Sequence, residues 1–351
     1  LANSQIGGRR NIVINGAMQV AQRGTSSTGV GASNGVYPTV DRFIFEAGNT
    51  AGRLTMTQET ISDLSGFTKA IKLACTTADI SVAADEFLML GQRFEGQDLQ
   101  QLKKGTSDAE KVTVSFYVKG NANATYTLEL RDNDNSRSNS QEFSVTTSWN
   151  RVSMTFDGDT SGALDNDNAL SLKCNIWLHG GSTYTGGTHT SNTWHGTNNQ
   201  RVGDNQTSFF DSTDRTFFVT GWQMEVGSQA TPFEHRSTGE EQILCERYFQ
   251  KWTHNGAGGG NITNGMISAT RFYGVLQYKK DMRAIPTITT TSSGFNITSS
   301  AHTVGSMSID ETHNTTIHAC RLRTGTNSSL SNGQAAILRY DSGSVNIDAE
   351  L

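Results

Sequence analysis

The chain has only three prolines in 351 residues, 17% charged residues, and no apolar run of the length a membrane-spanning helix needs. Its four cysteines, Cys75, Cys174, Cys245 and Cys320, lie far apart. They lack the close pairing of a zinc site, and each has apolar neighbours, so buried free thiols are expected rather than disulfides. A basic surplus is also missing: the formal charge is −5 at pH 7. Nucleic acid and membrane insertion are therefore not expected. The opening LANSQIGGRRN holds no apolar stretch of the secretory-signal kind, so synthesis in a cytoplasm is expected. No P-loop and no H-E-x-x-H motif occurs, and no spacing nominates a pair of acids for glycoside hydrolysis.

What is abundant is turn chemistry. There are 36 glycines and long runs of Ser, Thr and Asn. Between them recur short Thr/Val/Ile/Phe/Tyr segments, which predict an all-β protein of many short strands. With 16 Phe, 8 Tyr and 5 Trp, a packed core is expected rather than disorder. At this length two domains are the natural expectation. Residues 11–24 suggest a hairpin turning at Asn15-Gly16. Strands are expected at 69–74, 85–95, 112–118, 126–130, 142–145, 151–156, 170–178 and 217–226, with a single helical turn at 97–104 carrying Leu99 and Leu102. In the last of these strands, alternation places Phe218, Trp222 and Met224 on one buried face. Asp41 and Arg42, neighbours in a strand pattern, point to opposite faces and belong to separate ion pairs or hydrogen bonds.

Pro232 closes that strand. Thr238 and Glu241 have the spacing of a capping box, and Ile243, Leu244, Tyr248 and Trp252 give a helical apolar face over 238–252. The glycine-rich run after it, HNGAGGGNITNG, reads as a loop or hinge. Six further strands between 271 and 349 predict a smaller β-sandwich.

Several of these stretches together resemble one family. Gln223, Glu225 and Gly227, then Ala230-Thr231, Phe233-Glu234 and Arg236, are followed by Cys245, Arg247-Tyr248 and Gln250-Lys251. This is similar to a joint found in bacteriophage tail-fibre and receptor-binding proteins. Asn11–Arg23, Tyr37 with Asp41-Arg42-Phe43, Met282-Arg283-Ala284-Ile285-Pro286 and the final Ile347–Leu351 resemble the same family in the same order. The resemblance implies a jelly roll like a carbohydrate-binding module at 1–236, a linking helix at 237–252 and a C-terminal β-sandwich at 253–351. It further implies a non-enzymatic virion protein meeting a host surface polysaccharide, built as a homotrimer and joined to other virion tail proteins. A purely structural virion protein without its own ligand is the alternative, and a polysaccharide depolymerase a third.

The candidate binding loop is 179–195, HGGSTYTGGTHTSNTWH. There Tyr184 offers an aromatic platform, and His189 and His195 offer planar hydrogen-bonding groups. Trp194, Trp149, Trp177 and Trp222 are expected to be structural. His179, His189 and His195 lack a recognised metal-ligand spacing. Asp132–Ser136 opens like a calcium loop, but Arg137 and Phe143 stand where such a loop needs glycine and a bidentate acid, so an Asx-rich turn is expected. Asp157, Asp159, Asp165 and Asp167 are the candidate ligands of a structural calcium; no other cofactor is expected. Tyr248, Phe249 and Trp252 are the candidate oligomer seam.

Overall fold

The computed structural model describes residues 9–253, 260–291, 293–300, 303–313 and 315–351. The chain is all-β and divides into two compact units, 1–241 with Leu351, and 242–350.

In the first unit the strands are β1 (Ser26–Val30), β2 (Ile44–Gly48), β3 (Arg53–Thr60), β4 (Lys69–Thr77), β5 (Phe87–Glu95), β6 (Val112–Gly120), β7 (Ala124–Asp132), β8 (Arg137–Val145), β9 (Asn150–Phe156), β10 (Leu170–Gly180) and β11 (Thr216–Val226). They build a six-stranded sheet, β1-β3-β4-β11-β6-β9, and a five-stranded sheet, β2-β5-β10-β7-β8, with antiparallel pairings throughout. This is a jelly-roll sandwich. Alternation supplies its core: Leu54, Met56, Ile71 and Leu73 from one sheet meet Leu88, Leu90, Leu128, Leu130, Cys174 and Ile176 from the other. The expected helical turn is two 3-10 turns, Gly96–Asp98 and Gln100–Leu102, which bury Leu99 and Leu102.

Within β11 the apolar side chains in the core are Phe217, Val219, Trp222 and Met224, whereas Phe218 is only partly buried, outside that core. Strict alternation fails because the pairing with β6 shifts between Thr220 and Gln223. Gly221 sits at that bulge with φ +63°, and a Cβ there would lie 2.7 Å from the Phe67 ring. Only glycine fits.

The hairpin expected at 11–24 is absent. The segment is buried without being a strand, and amide side chains take over the role of a neighbouring strand. Asn11 accepts from the backbone of Val13 and Met224 and donates to Trp222 O. The Gln92 amide exchanges two 2.8 Å bonds with the backbone of Ile14. Asp41 and Arg42 lie in a turn before β2, both buried. Asp41 accepts from Gln22, while Arg42 donates to Arg93 O. Their roles are separate, as alternation suggested, though the residues are not in a strand.

The helix α2 runs from Thr238 to Glu246, shorter than its apolar pattern implied; a four-residue helix, α1 (Ser182–Thr185), precedes it in the chain. The capping box is set one residue earlier than expected. Ser237 Oγ accepts from Glu240 N (3.2 Å), and Glu240 accepts from Ser237 N (2.9 Å). Glu241 instead bonds Asn15 N and Arg236.

Residues beyond the helix turn into strand: β12 (Phe249–Thr253), then β13 (Asn261–Ser268), β14 (Arg271–Gln277), β15 (Thr287–Thr290), β16 (Phe295–Ser299), β17 (Thr303–Met307), β18 (Ile309–His313), β19 (Ala319–Thr324), β20 (Ala335–Tyr340) and β21 (Ser344–Asp348). A three-stranded sheet, β12-β21-β15, and a seven-stranded sheet, β17-β16-β20-β13-β14-β19-β18, share one core around Phe272, Phe295, Leu338 and Ile347. The glycine-rich run 254–259 lies outside the described residues. Of the residues expected at an oligomer seam, Tyr248 follows the helix and Phe249 and Trp252 fall in β12. Tyr248 and Phe249 are buried, and Trp252 packs in β12 against the second unit's core, so the three form no exposed helical stripe.

Candidate functional site: the outer face of the five-stranded sheet

The outward positions of the five-stranded sheet are mostly polar where the inward ones are apolar, with Met89 and Trp177 among the exceptions. Register lines them up in three rows. Arg93, Lys173, Arg131 and Ser138 form the first, and Gly91, Asn175, Glu129 and Ser140 the second. The third is Met89, Trp177, Thr127 and Glu142. Gly91 is required by the middle row: a Cβ there would fall 2.2 Å from Asn175 Oδ1.

The first row sets three cations on adjacent strands. Glu46 of β2 takes Lys173 (2.8 Å) and Arg93 together. Burial would raise the Glu46 carboxyl, but Lys173 and Arg93 hold it below the usual carboxylate range. Arg131 donates to Ser136 O (3.0 Å) and Ser138 Oγ (3.1 Å), with no acidic side chain in salt-bridge range among the described residues. Burial and the nearby Arg201 lower its pKa.

The second and third rows carry one network. Glu129, fully buried, receives Arg201 through Nε (2.6 Å) and Nη2 (2.9 Å), Trp177 Nε1 (2.9 Å) and Ser138 Oγ (2.7 Å). Burial pushes the carboxyl up, but the guanidinium and the other donors outweigh it and hold Glu129 at about 2. Arg201 lies 4.9 Å from the Trp177 ring centre, and Tyr184 packs on both Trp177 (5.1 Å) and Phe87 (5.6 Å). A carboxylate held so firmly ionised is an anchor for Arg201 and a poor general acid.

The expected ligand residues gather along this face without converging on a point. Tyr184 stands on α1, half-buried; His189 Nε2 is 3.1 Å from Ser140 Oγ; and His195 forms a two-bond bridge with the backbone of Ser138. Burial lowers the His195 pKa. His179 lies elsewhere, fully buried at the end of β10 between Glu86 and Ser208. Trp194 is structural: it donates to Asp157 O (2.7 Å) and its ring lies near the Lys104 ammonium. Trp222 is core, Trp149 lies half-buried outside the six-stranded sheet, and Trp177 is buried on the outer face rather than inside the sandwich.

The four candidate calcium ligands are not brought together. Asp159 is taken by Arg137 (2.7 Å) and Lys104 (3.1 Å), Asp157 pairs with Lys111, and Asp167 caps Ala169 N. No three of them form a ligand group among the described residues. Asp132 does form the expected Asx turn, accepting from Asn135 N (2.9 Å). The spelling G-x-S-x-G at Gly31–Gly35 falls in the exposed turn between β1 and β2, without the strand-to-helix setting of a nucleophile elbow.

Sequence reasoning passed over Glu46, Arg93, Arg131, Glu129, Lys173 and Arg201. The signal was the alternation Leu172-Lys173-Cys174-Asn175-Ile176-Trp177, which puts Lys, Asn and Trp on one face. Nothing local marks Arg201 as the partner of Glu129.

No family model matches the chain, and no curated protein matches it. Among solved structures, similarity extends to the carbohydrate-binding module of "CBM4 structure and function" (TM-score 0.32, 11% identity, 61% of this chain and 98% of that one). A family 30 carbohydrate-binding module gives TM-score 0.33 at 13% identity, over 62% of this chain and 98% of that one. The enzymatically active domain of bacteriophage CBA120 tailspike protein 4 gives 0.32 at 11%, over 62% of this chain and 21% of that one. Similarity at these scores carries no argument about function.

Proposed function

We propose that the chain is a non-enzymatic phage tail-fibre or receptor-binding protein whose first unit holds a host surface glycan, one carrying acidic sugars, on the outer face of its five-stranded sheet. The observation that carries this reading is the row Arg93–Lys173–Arg131, where Glu46 is the only acidic side chain among the described residues paired with any of the three. A sugar carboxylate would give Arg131 the bidentate partner it lacks. Beside it stand Tyr184, His189 and His195, within reach of an extended chain laid across the strands. Homotrimeric assembly and attachment to other virion tail proteins, in the virion, belong to the same reading and rest on the sequence resemblance.

The lack of hydrolysis also belongs to the proposal. A glycosidase needs a protonated carboxylic acid beside a second carboxylate, and both Glu46 and Glu129 are held low by cations. The experiment is binding of the purified protein to acidic and neutral host polysaccharides. Arg131→Ala should weaken binding to the acidic one by about 10-fold and reduce its salt sensitivity, with the melting temperature little changed. Equal binding of wild type and variant would remove the face from consideration. No binding to any host polysaccharide would favour the purely structural virion protein, and sugar release would favour a depolymerase.

A further inference from the structure

Glu86 immediately precedes β5, and His179 is the penultimate residue of β10. The pairing of Gly180 with Phe87 brings the two side chains together, with His179 Nε2 3.0 Å from Glu86 Oε2. Asp79, in the connection between β4 and β5, is tied in by its backbone to Phe210 O (2.8 Å). One ligand atom from each of the three falls within 4.8 Å of the other two. All are buried: His179 is 0% exposed, Glu86 5% and Asp79 7%.

Their charge balance differs from that of several other buried acids of the first unit. Asp132 and Asp159 share Lys104, Glu129 holds Arg201, and Glu46 takes Arg93 and Lys173. Neither Asp79 nor Glu86 has a lysine or arginine within salt-bridge range among the described residues; His179 is the only basic group there. Asp79 Oδ2 already accepts from Thr50 Oγ1 (2.8 Å) and Ala51 N (2.7 Å), but whenever the imidazole carries no charge the two buried carboxylates leave two negative charges with no counter-charge, which is costly. A divalent cation would cancel them.

The ligand chemistry is selective. Imidazole nitrogen disfavours calcium and magnesium, and oxygen donors without sulfur disfavour copper(I), whereas N/O sets suit zinc and manganese. Adjacent ligands about 2.1 Å from a common ion lie roughly 3–3.4 Å apart, close to the 3.0 Å between His179 and Glu86. Ser208 Oγ lies 2.7 Å from His179 Nδ1, in the place of a group that orients a metal-bound ring. When Nδ1–H is donated to Ser208, the Nε2 lone pair faces a carboxylate oxygen, and a proton or a metal cation between them is needed to make that arrangement favourable.

We propose that Asp79, Glu86 and His179 bind one first-row divalent cation of the zinc class. The ion would fasten the β4–β5 connection to the end of β10. The competing arrangement is a proton alone, with Nε2–H donated to Glu86 and Ser208 donating to Nδ1.

Untagged full-length protein, stripped with a chelator and titrated with zinc by calorimetry, separates the two. The site predicts one zinc per chain and a higher melting temperature on loading. Ser208→Ala should weaken binding by about 10-fold, and Glu86→Gln by at least that factor. X-ray absorption at the zinc edge of the loaded wild type should show a first shell of nitrogen and oxygen without sulfur, and the outer-shell scattering of a single imidazole, a reading that stands even where a variant folds poorly. No zinc bound by the wild type, zinc bound equally by Glu86→Gln, or calcium displacing the zinc would each overturn the assignment.

Discussion

Glu129 shows how a single buried charge organises a face of this sheet. Four donors reach it, and the Arg201 guanidinium is spread over Trp177 as it does so. Its carboxyl, held at about 2, lies below the 4.5 of the free side chain. A depressed folded-state value means that this contribution to stability is complete above about 4.5 and is lost as pH falls towards 2. Acid unfolding followed by tryptophan fluorescence should therefore begin in that window. Glu129→Gln leaves Arg201 buried without its counter-charge, and the expected cost at pH 7 is about 3–5 kcal/mol; a variant as stable as wild type would show that Arg201 finds another partner. In the sequence Glu129 reads only as a polar position alternating with Leu128 and Leu130. Its partner lies 72 residues further on, at a distance no local pattern spans. The outward-facing residues were legible as a face, and their pairing was not.

At the scale of the element, strands were the legible part, because period-two alternation survives wherever one sheet face is buried. Two elements were misread for the same reason, that tertiary partners outrank local preference. Asn11, Asn15 and Gln92 spend their amides on backbone groups, so the apolar alternation of residues 11–20 fills the core without any ladder. Phe249–Thr253 carries a helical apolar pattern yet pairs with β21 over five registered positions. Gln250 Nε2 reaches the Glu246 carbonyl at 3.0 Å and helps end the helix there. The cap also moved by one residue, and that difference is measurable. Ser237→Ala should cost about 1 kcal/mol in urea unfolding, with Thr238→Ala near neutral. The reverse ranking would restore Thr238 as the cap.

For the whole molecule, the all-β character followed from composition and turn spacing and the jelly roll from the family resemblance, while the strand order within each sheet followed from neither. Composition cannot say which strands are neighbours; that depends on which long loops cross the ends of the sandwich. The candidate metal ligands illustrate the limit. Asp79, Glu86 and His179 are drawn together only because β5 and β10 are adjacent, although the chain separates Glu86 from His179 by 93 residues.

The strand order has one more consequence, for the time course of folding. β11, the last strand of the first unit to be synthesised, lies in the middle of its sheet, between β4 and β6. Until Thr216–Val226 has emerged from the ribosome, the β1-β3-β4 and β6-β9 halves have no strand to join them, and Trp222 is missing from between Phe43 and Phe116. The nascent jelly roll must wait, its open edges exposed to aggregation. A chain arrested before Thr216 should be protease-sensitive and bind a hydrophobic dye, and one extended past Val226 should become resistant on the slow timescale of long-range β-pairing. In a crowded cell, that waiting period is when a chaperone would matter most.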